Sequence, residues 1–519
     1  MSSYVIGIGG TGAKCVEALI HLCAAGLMPD KKNAQGQVIG EEDLYIAFVD
    51  ADVSNGSLDR ARITLNQYNA CRTNNLGATD LLKTRIHVGK KEGKTFDTWS
   101  PFAEDDTTQP HLADFFEYEA LFTNLEAPHQ RAVAHLMDVL YSHQEKTTPL
   151  ERGFRGHPSI GAAVLSSSLT FNDGEPWKTF KNRIRQDVAG DGARIILIGS
   201  IFGGTGAAGL PTIARLISNE FSLPSVSNTR LGGVLVLPYF SFDPPDENGM
   251  RADSENFLLS TQAALKYYHQ QAIAGKKMGL DVFDSMYVIG EAQLSPVSVP
   301  SLGSTTQRNE QHVLELYAAL ACLDFFDSSR NPSGYNMVAR RTQAEVVWDD
   351  LPFAAPQILR EKIGQLARYA FAYVSSYYPA ITNLKNSYSA PWYVDFFERR
   401  NLNVAEHESA LNEMREYCEN LLLWLAHINT SAKGFEVSLI KENAFSEVIT
   451  DHDGKPERKL KKNFALSEFD NLVLPEKNKK SPDGLHYLWE NMCNTSVRDK
   501  DAEAVGKFFH ALYAECAVP

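Results

Sequence analysis

The chain has 519 residues, enough for about two to four domains with buried cores. Fifty Lys and Arg against 64 Asp and Glu leave a formal charge of −14, which argues against broad nucleic-acid or anionic-membrane binding. Hydrophobic content of 44% with 22% charged residues excludes disordered and fibrous classes.

The opening MSSYVIGIGG has no basic region and meets glycine where a signal peptide needs an apolar run. Short apolar runs at Tyr4–Ile6, Leu44–Val49, Arg194–Ile198, Gly233–Leu237 and Met286–Ile289 alternate with helical stretches. Their apolarity is continuous rather than alternating, which predicts strands buried on both faces of a mostly parallel sheet. From about 60 to 150 a polar and aromatic segment is read as a largely helical insertion, because it is too long for a simple connection. From Ile195 to Ala214 twenty residues carry no charge, the length of a membrane span, but five glycines and Pro211 split that stretch into strand, loop and helix. The run Gln307–Asp327 predicts a helix, apolar nearly all round from Leu316 to Leu323 and hence buried on most sides.

Beyond Ser328 the texture changes. Two long helical patterns, Gln357–Ser376 and Ala405–Ser431, precede a charged stretch from Lys441 to Pro482 with a hairpin-turn signal at Asp453-Gly454. A last helix is expected around Ala502–Cys516. The expected organisation is therefore an α/β domain over 1–330 and a helix-rich C-terminal domain over 331–519. Seven scattered cysteines with no CxxC pair predict free thiols in a reducing cytoplasm, and no membrane span is expected.

Gly7-Ile8-Gly9-Gly10-Thr11-Gly12 follows the first strand and opens an amphipathic helix. Glycines there let a backbone approach a phosphate, and the helix N-terminus offers unpaired N–H groups and a positive dipole end. The spacing also satisfies GxGxxG. A second loop, Gly203-Gly204-Thr205-Gly206-Ala207-Ala208-Gly209, stands between the strand at Arg194–Ile198 and a helix from Leu210. Two such loops in one domain imply two helix N-termini converging on one polyphosphate, which a dinucleotide dehydrogenase does not need. Asp50 and Asp52 end the second strand, where an α/β fold places carboxylates near a ribose or a hydrated Mg2+; an N-cap role is the alternative for one of them. Lys14 is read either as a phosphate partner or as a solvated helix lysine. Fourteen histidines show no HExxH, and neither GxxxxGK[ST] nor GxSxG occurs.

The GGTGAAG loop resembles the tubulin/FtsZ signature, and GIGGTGAK is similar to that family's first phosphate loop. Gly153–Gly161, which includes Gly156, resembles the family's third loop, near the terminal phosphate. Val236–Asp243 resembles its fifth strand and the loop whose acid contacts the ribose, here Asp243. Arg251 stands for the arginine after that loop, and Gln307–Asp327 for the long central helix, with Asn309 as base reader. The fold so implied is a tubulin-like Rossmann-type parallel sheet, a long central helix and a helix-rich C-terminal domain, the kin being divergent bacterial tubulin-like proteins. Phe202 and Ala208 depart from the signature.

The resemblance implies a Mg2+-dependent GTPase, or ATPase, that self-associates into filaments or acts as a nucleotide switch with a protein partner. The expected nucleotide-binding residues are Gly9, Gly10, Thr11, Gly12, Asp50, Asp52, Gly156, Gly203, Gly204, Thr205, Gly206, Asp243, Arg251 and Asn309. The family's loop after the central helix carries acids that reach a neighbouring subunit's nucleotide; here Asp324 and Asp327 have the acid-x-x-acid spacing as the candidate catalytic pair but stand on the helix end, where capping or solvating that end is the alternative. A plain NAD(P)-dependent oxidoreductase, which leaves the second glycine loop without a task, is one other reading, and two more stand beside it. In the first, Asp50–Arg60 is similar to a stretch of the ubiquitin-activating adenylating enzymes. In the second, the chain is a catalytically inactive scaffold with the same fold.

Overall fold

The first apolar run of the chain forms the central strand of a parallel sheet in the protein's computed structural model. The structure describes all residues except 31–42, 74–78, 92–93, 96, 103–110, 124–127, 148, 151–152, 155–156, 169–173, 224–227, 243–253, 274–281, 298–308, 341–344, 383–389, 400–401, 433–444, 449–456, 461–487, 491, 493–503 and 518–519. Strand β1 (Ser2–Ile8) leads into helix α1 (Gly9–Ala24), strand β2 (Asp43–Val49) and helix α2 (Gly56–Thr73). Short strands β3 (Arg85–His87) and β4 (Thr98–Trp99) follow, then helices α3 (Pro158–Ser168) and α4 (Trp177–Ala189). The chain continues through β5 (Ala193–Ser200), α5 (Gly204–Glu220), β6 (Arg230–Val236), α6 (Ser254–Ile273), β7 (Ser285–Glu291), α7 (Val313–Phe326) and β8 (Gly334–Arg340). Helices α8 (Pro356–Ala372), α9 (Glu408–Ser431) and α10 (Ala504–Glu515) complete the part the argument needs.

The strand order is β8-β7-β6-β5-β1-β2-β3, with β4 also pairing β2, and every pair in this sheet is parallel. The architecture is a mixed α/β, Rossmann-like sheet. From β1 the chain moves toward β2, and from β5 it moves the opposite way toward β6, so the topology reverses between β1 and β5. Ligands of open α/β sheets bind beyond the carboxyl ends of the strands at such a point. There Ile8 of β1 pairs with Val49 of β2 and with Gly199 of β5.

Alternate side chains feed two cores. Val5, Ile46, Phe48, Ile196, Ile198 and Val236 face α1, α2, α7 and the C-terminal helices in one cluster that runs on to Cys516. Tyr4, Ile6, Ala47, Ile195, Leu197 and Leu235 face α3, α4 and α5 on the other side. Burial on both faces is why these strands lack a polar alternation. All five expected strands are present, with ends shifted by three residues at most. Strand β8 escaped the sequence reading because it is an edge: Tyr335 and Met337 are exposed, so the apolar run is missing.

Residues 60–150 carry four short helices, at Leu112–Phe115, Tyr118–Thr123, Pro128–Leu140 and His143–Lys146. They also carry β3 and β4, strands of three and two residues that are too short to show a period. Every residue of α7 is buried, as its all-round apolarity predicts. Its first turn begins at Val313 rather than near 307, because His312 and Glu315 form a capping box: the His312 N–H donates to Glu315 Oε2 at 3.0 Å, and the Leu314 N–H donates to His312 Nδ1 at 3.3 Å. Burial pushes the His312 imidazole down to about 3, so the ring stays neutral, the form in which one ring nitrogen can accept. In the C-terminal half, α8 and α9 take the places of the two long helical patterns, and Arg340 of β8 donates to the Ser431 and Ala432 carbonyls at 3.0 and 2.8 Å, tying α9 to the sheet. Strands Phe445–Val448 and Glu457–Leu460 pair antiparallel, while the turn signal Asp453-Gly454 lies outside the described residues.

The uncharged stretch Ile195–Ala214 divides between β5 and α5, and among the described residues no helix is long and apolar enough to cross a membrane. Six cysteines (Cys15, Cys23, Cys71, Cys322, Cys418 and Cys516) are buried and unbridged.

Candidate functional site

Both glycine motifs sit at the carboxyl end of the sheet, one after β1 and one after β5, which are neighbours. Each strand passes almost directly into a helix: α1 starts at Gly9 and α5 at Gly204. Gly9 has φ of +69°, which only glycine adopts freely, and a Cβ built on it lies 3.4 Å from the Gly206 nitrogen and from Thr205 Cβ. The two motifs therefore touch. A Cβ on Gly206 would stand 2.7 Å from the Ser200 carbonyl oxygen and 2.8 Å from its nitrogen, closer than packing allows. Glycine is thus fixed by the approach of α5 to the end of β5.

The first turns of α1 and α5 are left electropositive. Their N-cap residues, Ile8 and Gly203, supply no side-chain hydrogen bond, and neither first turn contains an acid. Helix starts normally recruit Ser, Thr, Asp or Asn to satisfy those N–H groups. Two uncapped starts side by side, with Gly10, Thr11 and Gly12 in one and Thr205 and Gly206 in the other, form a cradle suited to an anion.

Asp50 and Asp52 flank this cradle at the end of β2. Both are buried, at 3% exposure each. The Thr205 hydroxyl donates to Asp50 Oδ1 at 3.3 Å, and the Asp52 N–H donates to the same oxygen at 3.2 Å. Asp50 Oδ2 has no hydrogen-bond partner although it is buried. Burial, followed by the charge of Asp52, pushes the Asp50 carboxyl up to about 7. Asp52 accepts from the Ser54 N–H and hydroxyl at 3.1 and 2.7 Å, which shapes the turn into α2. The cap of α2 is Asn55, whose Oδ1 accepts from Ser57 and Leu58 N–H groups at 2.9 and 3.3 Å. Its amide also lines the first glycine motif, since a Cβ on Gly10 would meet Asn55 Nδ2 at 3.1 Å. Sequence reasoning did not assign Asn55 to this site, although an Asn just before a helical run is an N-cap signal.

The third loop reaches the same place. A Cβ on Gly153 would lie 3.9 Å from Asp52 Cβ, and one on Gly161, in α3, 3.0 Å from the Gly204 carbonyl. His157 stands 3.7 Å from Glu145, within the insertion. Gly156, Asp243 and Arg251 lie outside the described residues.

Lys14 is neither of the things expected of it. It is buried at 2% and paired with Glu315 of α7 at 2.5 Å, with its ammonium over the Tyr239 and Phe240 rings. Tyr239 donates to the same Glu315 at 2.7 Å and is hydrogen-bonded to Thr11. A second buried network lies one turn further along α1. Arg60 of α2 contacts Glu17 at 3.0 Å and donates to the Asn309 carbonyl at 2.9 Å, while Gln311 donates to Glu17 at 3.0 Å. Asn309 thus lies just before α7, with its carbonyl held by Arg60 of α2.

Asp324 and Asp327 are placed at the far end of the sheet. Helix α7 runs back along the strands, so its last residues meet strand starts: the Phe325 carbonyl accepts from Arg194, near the start of β5, at 2.5 Å. Asp324 is buried; Oδ2 accepts from Tyr287 at 2.7 Å, and Arg330 lies 2.8 Å from Oδ1. Asp327 closes the helix and accepts from the Ser329 N–H at 2.9 Å and its hydroxyl at 2.6 Å. Neither acid stands beside the glycine motifs of its own chain.

Among the described residues no group of three or more His, Cys, Asp or Glu is arranged to hold a metal ion. Magnesium needs fewer protein ligands when phosphates and waters supply the rest. Asp50, with its unpartnered buried oxygen, and the Thr205 hydroxyl fit that requirement. No model of a known protein family matches this chain, and no curated protein matches it.

Proposed function

We propose that the chain is a tubulin-like nucleotide-binding protein that takes a nucleoside triphosphate, GTP or ATP, together with Mg2+. The observation that carries this reading is the contact of the two uncapped, glycine-opened helix starts at the switch point between β1 and β5. A polyphosphate spans two such starts, whereas a dinucleotide pyrophosphate needs one. The N–H groups at the starts of α1 and α5 would bind the phosphates, and Asp50 with Thr205 would hold the cation. The chemistry a bound cation would supply is neutralisation of phosphate charge. Asp52, held by Ser54, keeps the turn that presents Asp50.

Hydrolysis in such a site is positioning plus electrostatics, completed by a group that orients water. Asp324 and Asp327 suit that role only toward a neighbouring copy, since they lie at the opposite end of the sheet. A second reading, a nucleotide-binding scaffold without hydrolysis, is favoured by the engagement of Asp324 with Tyr287 and Arg330. The adenylating reading gives the second glycine motif no task.

The test is phosphate release from GTP and ATP per molecule, with Mg2+, over a wide range of protein concentration. Specific activity that rises with concentration and is lost in Asp327→Ala supports a shared site. Bound nucleotide without phosphate release supports the scaffold, and pyrophosphate release overturns both in favour of the adenylating enzyme.

A further inference from the structure

Asn55 closes the turn between β2 and α2, and three of its polar groups are committed to that turn. Its N–H donates to the Asp52 carbonyl at 3.1 Å, and its carbonyl accepts from the Asp59 N–H at 2.9 Å, the first hydrogen bond of α2. Its side-chain Oδ1 accepts from the Ser57 and Leu58 N–H groups at 2.9 and 3.3 Å. Those two donors fix which end of the amide is the oxygen, because a flipped amide would set N–H groups against N–H groups. The other end, Nδ2, carries two donors.

Gly10 shows where that end stands. In a helix the Cα–Cβ bond tilts toward the N-terminus, the direction in which the first N–H groups also point. A Cβ built on Gly10, in the first turn of α1, meets Asn55 Nδ2 at 3.1 Å and Oδ1 at 3.2 Å. The amide therefore fills the place that a side chain at position 10 would take, ahead of the first turn of α1. The same β2–α2 turn presents Asp50, whose buried Oδ2 has no hydrogen-bond partner.

The choice of asparagine has a physical reason. Aspartate caps a helix as well as asparagine does, and its charge favours a helix start. Asp50 and Asp52 already bury two carboxylates here, and a third against the start of α1 would repel an anion. Asparagine keeps the cap and turns a donor toward the glycine motif instead.

We propose that Asn55 is a binding residue for the polyphosphate of the nucleotide: Oδ1 holds the start of α2 while Nδ2 donates to a phosphate oxygen beside the first glycine motif. The inference rests on the nucleotide reading and deepens it. It adds a side-chain donor to the backbone N–H groups of the cradle, and it assigns that donor to the phosphates rather than to the ribose or the base.

The test measures binding of a fluorescent Mg2+-nucleoside triphosphate to the full chain, with inorganic tripolyphosphate as competitor, in the native protein, Asn55→Ser and Asn55→Asp. Both substitutions keep a capping oxygen at position 55, so the unfolding temperature should change little. Asn55→Ser removes the donor and is expected to bind about three- to tenfold more weakly. Asn55→Asp adds a charge and should lose about tenfold or more, a deficit that shrinks as salt is raised. Each loss should be the same for the nucleotide and for tripolyphosphate. A purely capping role predicts native affinity in both variants, and that result overturns the assignment while the nucleotide reading stands. A loss confined to Asn55→Asp, or one seen with the nucleotide and absent with tripolyphosphate, overturns it likewise. A native chain that binds neither ligand overturns both.

Discussion

The Thr205 hydroxyl donates to Asp50 Oδ1 over 3.3 Å and so joins the second glycine motif to the end of β2. The contact crosses from β5 to β2 over the end of β1, the strand between them, which carries the first glycine motif. Three separate stretches of sequence thereby share one locus. The remaining Asp50 oxygen points to no partner in a buried place, a costly arrangement that a cation or a proton relieves.

Gly206 has no room for a side chain. In Gly206→Ala the new Cβ would press on the Ser200 backbone at 2.7 Å, which costs about 1–3 kcal/mol or displaces the start of α5. Expected are a lower unfolding temperature and a loss of triphosphate affinity of about tenfold or more. An alanine variant that binds as tightly as the native chain contradicts a role for this helix start.

Asp50 makes stability depend on pH with a defined sign. Its carboxyl is raised from 3.8 to about 7, so its contribution to stability is fully present below about 3.8 and is lost as pH rises through about 7. Without ligand, the native chain should lose unfolding temperature between pH 5.5 and pH 8, and Asp50→Asn should lose much less. With Mg2+ and a triphosphate the order reverses, because the ionised carboxylate is the form that binds a cation. Thermal scans at the two pH values, with and without ligand, read both effects.

The two acids of the α7 end separate by stability. Asp324→Ala strips Tyr287 and Arg330 of their shared partner and should cost about 1–3 kcal/mol whatever its catalytic role. Asp327→Ala loses a partly exposed turn contact and should cost about 0.5–1 kcal/mol. Urea unfolding of the two variants checks the difference. It also shows why Asp327→Ala is the cleaner probe of hydrolysis.

Glu17 is the only acid described within reach of Arg60. Glu17→Ala leaves a buried guanidinium uncompensated, and a loss of about 3–5 kcal/mol is expected. The double variant Glu17→Leu/Arg60→Met should recover most of it. If the single variant is neutral, the network does not hold α1 against α2.

The central strands were legible because double burial writes a continuous apolar run, as in Ile195–Ile198 and Val234–Val236. Both glycine motifs were legible for a related reason: close approach leaves glycine as the residue that fits, as at Gly206. The edge strand β8 was not, because its exposed face removes that run. Nor were the partners of Lys14, Glu17 and Asp324. A charge at helical spacing looks solvated until Glu315, Arg60 or Tyr287, distant in sequence, is brought to it by the fold. The start of α7 moved for a local reason: His312, three residues before Glu315, caps the helix there, and histidine is not among the residues that usually signal an N-cap.

The most direct measurement is the binding of a fluorescent Mg2+-nucleoside triphosphate to the full chain, with unlabelled GTP, ATP, NAD and nucleoside monophosphates as competitors. A single polyphosphate site made by both helix starts predicts one nucleotide per chain, triphosphates outcompeting NAD and monophosphates, and comparable losses in Gly10→Val and Gly206→Ala. No saturable binding, NAD as the strongest competitor, or a loss confined to Gly10→Val would contradict it.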